Sequence, residues 1–302
     1  MKRLLFVFLD GVGLGPKAPH NPLYAHAGPH FQRLAGNQPW ARPFSDRRTP
    51  TCLVQSIDAT LGVEGLPQSG TGQGSLFTGI NCARLVGRHF GPYPHSKTYD
   101  TIDEANVFTQ ILTASGRKEV SVAFANAFPP QFFRSSRRAT VTTRCCQAAE
   151  VRIRGIEDLR NGRALSADLT GDAWRTQLGL DVPSLDANEA ASTLCSIAST
   201  HTFTLFEYFL TDKVGHGRVD TAPEDLLSKL DDFLGGVLDG LNLQEEALII
   251  TSDHGNLEST LHTQHTRNAV PLIVHGWAAP HFEDATSLTD VTPGILKALD
   301  HA

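Results

Sequence analysis

Short apolar runs recur along the chain at "LLFVFL" (4–9), "VSVAFA" (120–125), "FTLFEYFL" (203–210), "ALIIT" (247–251) and "VPLIVHG" (270–276), separated by more polar, helix-like segments. Runs this short, apolar on both pleat faces, are the pattern of parallel strands buried between two layers of helices. The alternation predicts an α/β fold, a three-layer α/β/α core around a mostly parallel sheet. Helices are expected over 70–78, 103–115, 187–199 and 223–240. The last has Pro223 near its start and leucines at helical spacing.

The rhythm breaks between 128 and 185. That segment opens with "FPPQFFRSSRRATVTTR", is rich in arginine and shows no βα repeat. It is expected to be a small cap inserted into a discontinuous core made of 1–127 and 186–302, folding over the end of the sheet where α/β proteins hold ligands. Its arginines 134, 137, 138, 144, 152 and 154 are available to an anionic substrate, or else form an ordinary solvated face.

Composition narrows the function classes. The chain has 302 residues, 40% of them hydrophobic, which is enough for a large core, and a net charge of −6 argues against a broad basic nucleic-acid surface. Its five cysteines, at 52, 82, 145, 146 and 195, show no CxxC spacing, so a reducing, cytoplasmic setting is expected. The run Leu4–Leu9 is too short for a signal-peptide core, and no segment reaches transmembrane length.

Residues just past the carboxyl ends of strands face the ligand crevice of such a sheet. Asp10 stands there after the first run, Asp253 and His254 after "ALIIT", and Asp212 and His216 follow the "FTLFEYFL" run. His262 and His265 come before the next strand. Taken one at a time, these residues read as turn or cap positions and structural histidines. Together, Asp10, Asp212, His216, Asp253, His254 and His265 exceed what one tetrahedral zinc needs and suit two divalent cations with mixed oxygen and nitrogen ligands. Three carboxylates against two dications leave about one positive charge, which favours a phosphoryl dianion. Zinc or manganese fits three imidazoles best, with magnesium possible.

A nucleophile is expected in "LPQSGTGQGSLFTG" (66–79), where a hydroxyl at a helix start meets free backbone N–H groups. Ser69 and Thr71 both qualify, and spacing alone does not choose between them. Rival motifs fail: "DGVGLGPK" puts Pro16 where a dinucleotide fingerprint needs its third glycine, no GK[ST] follows "SGTGQGS", and "LPQSG" is not a GxSxG elbow.

In order along the chain, "FLDGVG", "SGTGQGSLFTG", "TDKVGHG", "SDHGNLE" and "HTRNAVP" resemble the alkaline phosphatase superfamily, and within it the cofactor-independent phosphoglycerate mutases. The resemblance implies that Ser69, nine positions before Thr78 of "FTG", is the nucleophile. It also implies one metal held by Asp10, Ser69, Asp253 and His254 and a second held by Asp212, His216 and His265, with His262 outside both sets. The implied chemistry is in-line attack by Ser69, a phosphoserine intermediate, and its removal by water or a second hydroxyl. Gln68 beside the serine, and Arg134, Arg137 and Arg138 of the insert, are expected substrate contacts. Two departures bear on activity: mutases of this family carry a larger cap, and often a histidine where this chain has Gln73. The sulfatase signature is missing around Ser69. The leading expectation is therefore hydrolysis of a small phosphate ester. A phosphomutase comes second, and a non-catalytic metal- or anion-binding protein on a degenerate scaffold is the alternative of another class.

Overall fold

The computed structural model describes residues 2–114, 120–134 and 138–300. Seven strands form one sheet: β1 (Arg3–Leu9), β2 (Arg47–Thr49), β3 (Cys52–Ile57), β4 (Val122–Phe124), β5 (Phe203–Tyr208), β6 (Glu246–Thr251) and β7 (Val270–Gly276). Their order is β2-β3-β7-β6-β1-β5-β4. β1 sits between β5 and β6 and pairs parallel with both, Leu9 opposite Tyr208 and Phe8 opposite Thr251.

The two faces of β1 show why the apolar runs are continuous. Phe6 and Phe8 enter one core layer with Phe77, Phe108, Leu205 and Ile249, while Leu5, Val7 and Leu9 enter the opposite layer with Phe206, Leu230, Phe233 and Leu234. Period-two alternation buries both sides, so β1 is apolar from Leu4 to Leu9.

One expectation needs correcting. "VPLIVHG" reads as a parallel strand, yet β7 returns antiparallel beside β6, with Ile250 opposite Ile273. A parallel return needs a crossover, usually helical, and residues 252–269 form a non-helical loop instead. The chain therefore doubles back, and β3 and β2 extend the sheet antiparallel beyond β7.

Helices form at Ser69–Thr78, Ala187–Ala198 and Pro223–Gly240, close to expectation. The predicted helix over 103–115 is two helices, Tyr99–Ala105 and Val107–Ala114, and residue 115 lies outside the described residues. Asn106 makes the break: its side chain accepts from the Thr109 backbone N–H at 3.1 Å and donates to the Ile102 carbonyl at 2.8 Å, serving the end of one helix and the start of the next.

Segment 128–185 carries short helices, among them Val141–Ala148 and Ile156–Arg160. Ala127, Leu159, Ala164, Trp174 and Val182 make a small apolar cluster of their own. Val141, Cys145 and Cys146, by contrast, lie in the main core layer against Phe124 and Phe203. All five cysteines are free.

Candidate active site

The helix Ser69–Thr78 is buried along its whole length, which its sequence makes possible. A Cβ on Gly70 would lie 2.1 Å from the Tyr93 carbonyl oxygen, and one on Gly72 would lie 2.9 Å from the Asp253 carbonyl oxygen. Glycine at these two places lets the helix start press between segment 90–93 and the loop after β6. The alternation in "SGTGQGS" thus positions a hydroxyl.

That hydroxyl is Ser69, whose Oγ lies 3.0 Å from His254 Nε2. Thr71 faces away, accepting from the Phe90 N–H at 3.1 Å and donating to the Gln68 carbonyl at 3.3 Å. From His254 Nε2, Asp10 Oδ1 is 3.4 Å and Asp253 Oδ2 3.5 Å distant. Asp212 Oδ1 lies 3.4 Å from His216 Nε2 and 3.5 Å from His265 Nε2. The His254 and His265 rings stack with centroids 3.8 Å apart, joining the two groups. Among the described residues, donor atoms of Asp212, His216 and His265, and of Asp10, Asp212 and His254, all fall within 4.8 Å of one another.

Two observations test whether these residues fit cations. His216 Nδ1 lies 2.7 Å from the Thr263 carbonyl and His265 Nδ1 2.7 Å from the Pro67 carbonyl. A carbonyl only accepts, so each Nδ1 carries the proton, and in the neutral rings both Nε2 atoms present lone pairs. Those two Nε2 atoms face each other at 2.9 Å, an arrangement that needs a positive charge between them. Second, Asp10 Oδ1 and Asp253 Oδ2 are buried with no hydrogen-bond donor among the described residues.

Electrostatics point the same way. Burial, then repulsion from Asp253, Asp212 and Glu207, pushes Asp10 well above the usual carboxylate range. Burial and the Asp212 charge push Asp253 up to about 7. Burial and the nearby His265 push His254 down to about 3. Burial would raise Asp212 too, but His265, His254 and the Asn256 amide outweigh it and hold Asp212 below its ordinary value. Burial lowers His265 as well, but its hydrogen bond to Asp212 outweighs this and raises it above its ordinary value. Crowded carboxylates, two of them pushed up by burial and mutual repulsion, beside a His254 that resists protonation form a cation-binding donor set.

Other expected residues are placed differently. His262 is exposed and bonds the Gln264 carbonyl at 3.1 Å, apart from both groups. Gln73 donates to Asp10 Oδ2 at 3.4 Å. Gln68 is the half-buried N-cap of the serine helix and makes no side-chain cap bond. Arg134 is exposed at the end of its helix, and Arg137 lies outside the described residues. Arg138 donates to the Pro94 carbonyl at 2.8 Å and to the Tyr99 hydroxyl at 2.9 Å, which ties it to the segment that closes over Gly70. Arg144 is paired with Asp103 and stacked on Tyr99.

Sequence reasoning missed three residues. Glu207 is buried near the end of β5 and burial pushes it up to about 7; its signal was a carboxylate inside an apolar run. Asn256 donates to Asp212 Oδ1 at 2.9 Å. Glu258, fully buried, accepts from the backbone N–H groups of Gly13 (3.0 Å) and Asn256 (2.8 Å), from the Asn268 amide (2.9 Å) and from the Thr266 hydroxyl. It therefore ties the Asp10 loop to both ends of the loop that carries Asp253, His254 and His265. Glu258→Ala takes the acceptor from two buried and two part-buried donors and is expected to cost about 2–4 kcal/mol of stability. Glu258→Gln, which keeps one acceptor oxygen, should cost less. Denaturation midpoints check this, and an unchanged midpoint in Glu258→Ala would contradict the role.

The chain is similar to known proteins in sequence and in fold. The sequence matches the Metalloenzyme superfamily over residues 2–301. A 98-residue stretch is 36% identical to the 2,3-bisphosphoglycerate-independent phosphoglycerate mutase of Aliivibrio fischeri, covering 30% of this chain and 19% of that protein. A 123-residue stretch is 32% identical to the Coxiella burnetii protein of the same name, covering 38% of this chain and 24% of that one. The chain thus matches about a quarter or less of these relatives' length. Among solved structures, the alkaline phosphatase of the Antarctic bacterium TAB5 superposes with a TM-score of 0.58 at 12% identity, over 99% of this chain and 98% of that one. The phosphoglycerate mutase of Leishmania mexicana gives 0.50 at 11% identity, over 99% and 95%. At these identities the likeness is one of fold.

Proposed function

Because the chain belongs to the Metalloenzyme superfamily, as an alkaline phosphatase-superfamily enzyme near the phosphoglycerate mutase branch, we propose that it hydrolyses a small phosphate ester through a phosphoserine at Ser69. The observation that carries this reading is the facing pair of His216 and His265 lone pairs beside Asp212, a short step from Ser69 and His254. Asp10, Ser69, Asp253 and His254 would hold one divalent cation, and Asp212, His216 and His265 a second. Zinc or manganese suits the imidazole content. Bound there, the cations would supply Lewis-acid charge that lowers the serine hydroxyl's pKa and neutralises the phosphoryl oxygens.

The chain's own groups define the rest of the reaction. Ser69 Oγ stands 3.0 Å from His254 Nε2, at the first position of a helix whose N-terminal end favours anionic oxygen. Ser69 Oγ forms a bond to phosphorus as the ester oxygen departs. Water then breaks the Ser–O–P linkage, releases phosphate and restores the serine. Glu258 and Asn256 keep the participating loops in register. Segment 128–185 is proposed as a small cap, with Arg138, anchored beside the serine helix, as its contact to the substrate phosphate. Gln68 is proposed to meet the substrate from the other side of Ser69. A reducing cytoplasmic setting belongs to the same reading. Among the described residues, no helix is long and apolar enough to cross a membrane.

A phosphomutase is the second reading, supported by the names of the relatives matched in sequence. A screen of divalent metals against phosphate monoesters, diesters and phosphorylated sugars or acids separates the readings. Metal-dependent phosphate release supports hydrolysis. Isomerisation without release would replace that reading with the mutase, and no bound metal with no turnover would leave a non-catalytic binding protein.

A further inference from the structure

Segment 151–163 holds a second group of charges that the proposed reaction does not use. A cavity of about 220 Å³ opens at the outer edge of the sheet, beside β4, lined by Val122, Ala123, Val151, Asp158, His201 and the arginines 152, 154 and 163. It shares no residue with the serine and metal-competent cluster. Asp10 follows β1, and β5 separates β1 from β4, so the cavity lies at least about 10 Å from the Asp10 strand at ordinary strand spacing.

The charges in this cavity do not balance. Asp158, buried, is saturated: it accepts from Arg152 Nη2 at 2.8 and 3.0 Å, from Arg163 Nε at 3.4 Å and from the Gly155 N–H at 3.1 Å. From the third position of helix Ile156–Arg160 it reaches back to the N–H of the N-cap residue Gly155, and it is also the counter-ion of two guanidiniums. Arg154 is left over. It is half-buried, its Nη1 donates to the Arg163 carbonyl, and no carboxylate among the described residues pairs with it. Burial lowers its pKa, the nearby Asp158 charge offsets part of that, and the neighbouring Arg152 and Arg163 lower it further. Three guanidiniums against one carboxylate leave two positive charges around the cavity. His201 completes the wall, its Nδ1 held by the Ile197 carbonyl at 2.8 Å.

We propose that this cavity is a binding site for a phosphate group, remote from Ser69, with Arg154 as its central ligand and Arg152 and Arg163 at its rim. A dianion matches the two uncompensated charges. Guanidinium forks provide the paired donors that phosphate oxygens take. A half-buried cation whose one nearby carboxylate is already taken by two other guanidiniums is costly to keep, and a bound phosphate would offset that cost. Val151–Arg154 and the loop after Ile156–Arg160 come from different parts of the insert, so an anion bridging Arg154 and Arg163 would also brace it.

The site is tested by calorimetric titration of the metal-loaded full-length protein with inorganic phosphate, beside Arg154→Gln and Arg152→Gln. The Arg152 side chain is 73% exposed, so that variant keeps the test open if Arg154→Gln fails to fold. The expected result is a saturable phosphate site that persists when the metals are chelated. Arg154→Gln should weaken it by at least about tenfold, the worth of one charge-assisted hydrogen bond, and Arg152→Gln by less. KM and kcat for a phosphate monoester should stay at parental values in both variants. Absence of a metal-independent site, or an undiminished one in both variants, would overturn the proposal. So would a parallel change in KM, since the arginines would then serve the substrate at Ser69.

Discussion

Ser69→Ala is expected to lower metal-dependent phosphate-ester turnover by about a thousandfold or more, with the fold and most of the bound metal retained. The reasoning is geometric. Among the described residues Ser69 Oγ hydrogen-bonds to His254 Nε2, so its loss removes the attacking oxygen and a single side-chain hydrogen bond. Thr71 cannot take its place two residues on, because it is fully buried and bonded to the Phe90 N–H and the Gln68 carbonyl. Thr71→Ala should therefore lower stability while leaving the chemical step largely unaffected. Turnover of an aryl phosphate, measured beside denaturation midpoints, separates the two. Near-parental turnover in Ser69→Ala would remove the serine from the reaction.

The second large effect concerns His265. Its Nε2 is 2.9 Å from His216 Nε2 and 3.5 Å from Asp212 Oδ1, and its ring stacks on His254, so it stands at the junction of the two cation-competent groups. His265→Ala is expected to lose much of the bound metal and most of the turnover. His262→Ala, three residues away and exposed, should keep both. Metal also stabilises the folded state by mass action, about 2.7 kcal/mol at a hundredfold excess over Kd. The parent and His262→Ala should show that rise in denaturation midpoint on adding metal, and His265→Ala should show much less. Equal metal losses in the two histidine variants would undo the assignment.

What the sequence made legible follows from burial. A strand covered on both faces is mostly apolar, so β1, β5 and β6 announce themselves, and the polar residues that follow them lie at the strand ends. Asp10, Asp212, Asp253 and His254 were readable for that reason. β2 and β3 were not, because "CLVQSI" carries Gln55 and Ser56; Gln55 is buried and bonds the carbonyls of Phe282 and Ala285, a tertiary contact without a local signature. Glu207 was hidden by the opposite effect, a single acid in a run that otherwise reads as pure core. Ser69 and Thr71 were inseparable by spacing because the choice depends on where Phe90 and Tyr93 close over the helix start, some twenty residues downstream. The direction of β7 depended on whether residues 252–269 form a crossover or a loop, and a segment rich in donor atoms does not declare which.

The measurement closest to the central claim is acid quenching of the metal-loaded enzyme during turnover of a phosphate monoester, followed by mass analysis of the peptide that contains Ser69. The account predicts a phosphoryl group on Ser69 in the parent, and none in Ser69→Ala or after chelation. Sustained metal-dependent turnover with Ser69 unmodified at every quench time, and undiminished in Ser69→Ala, would contradict it.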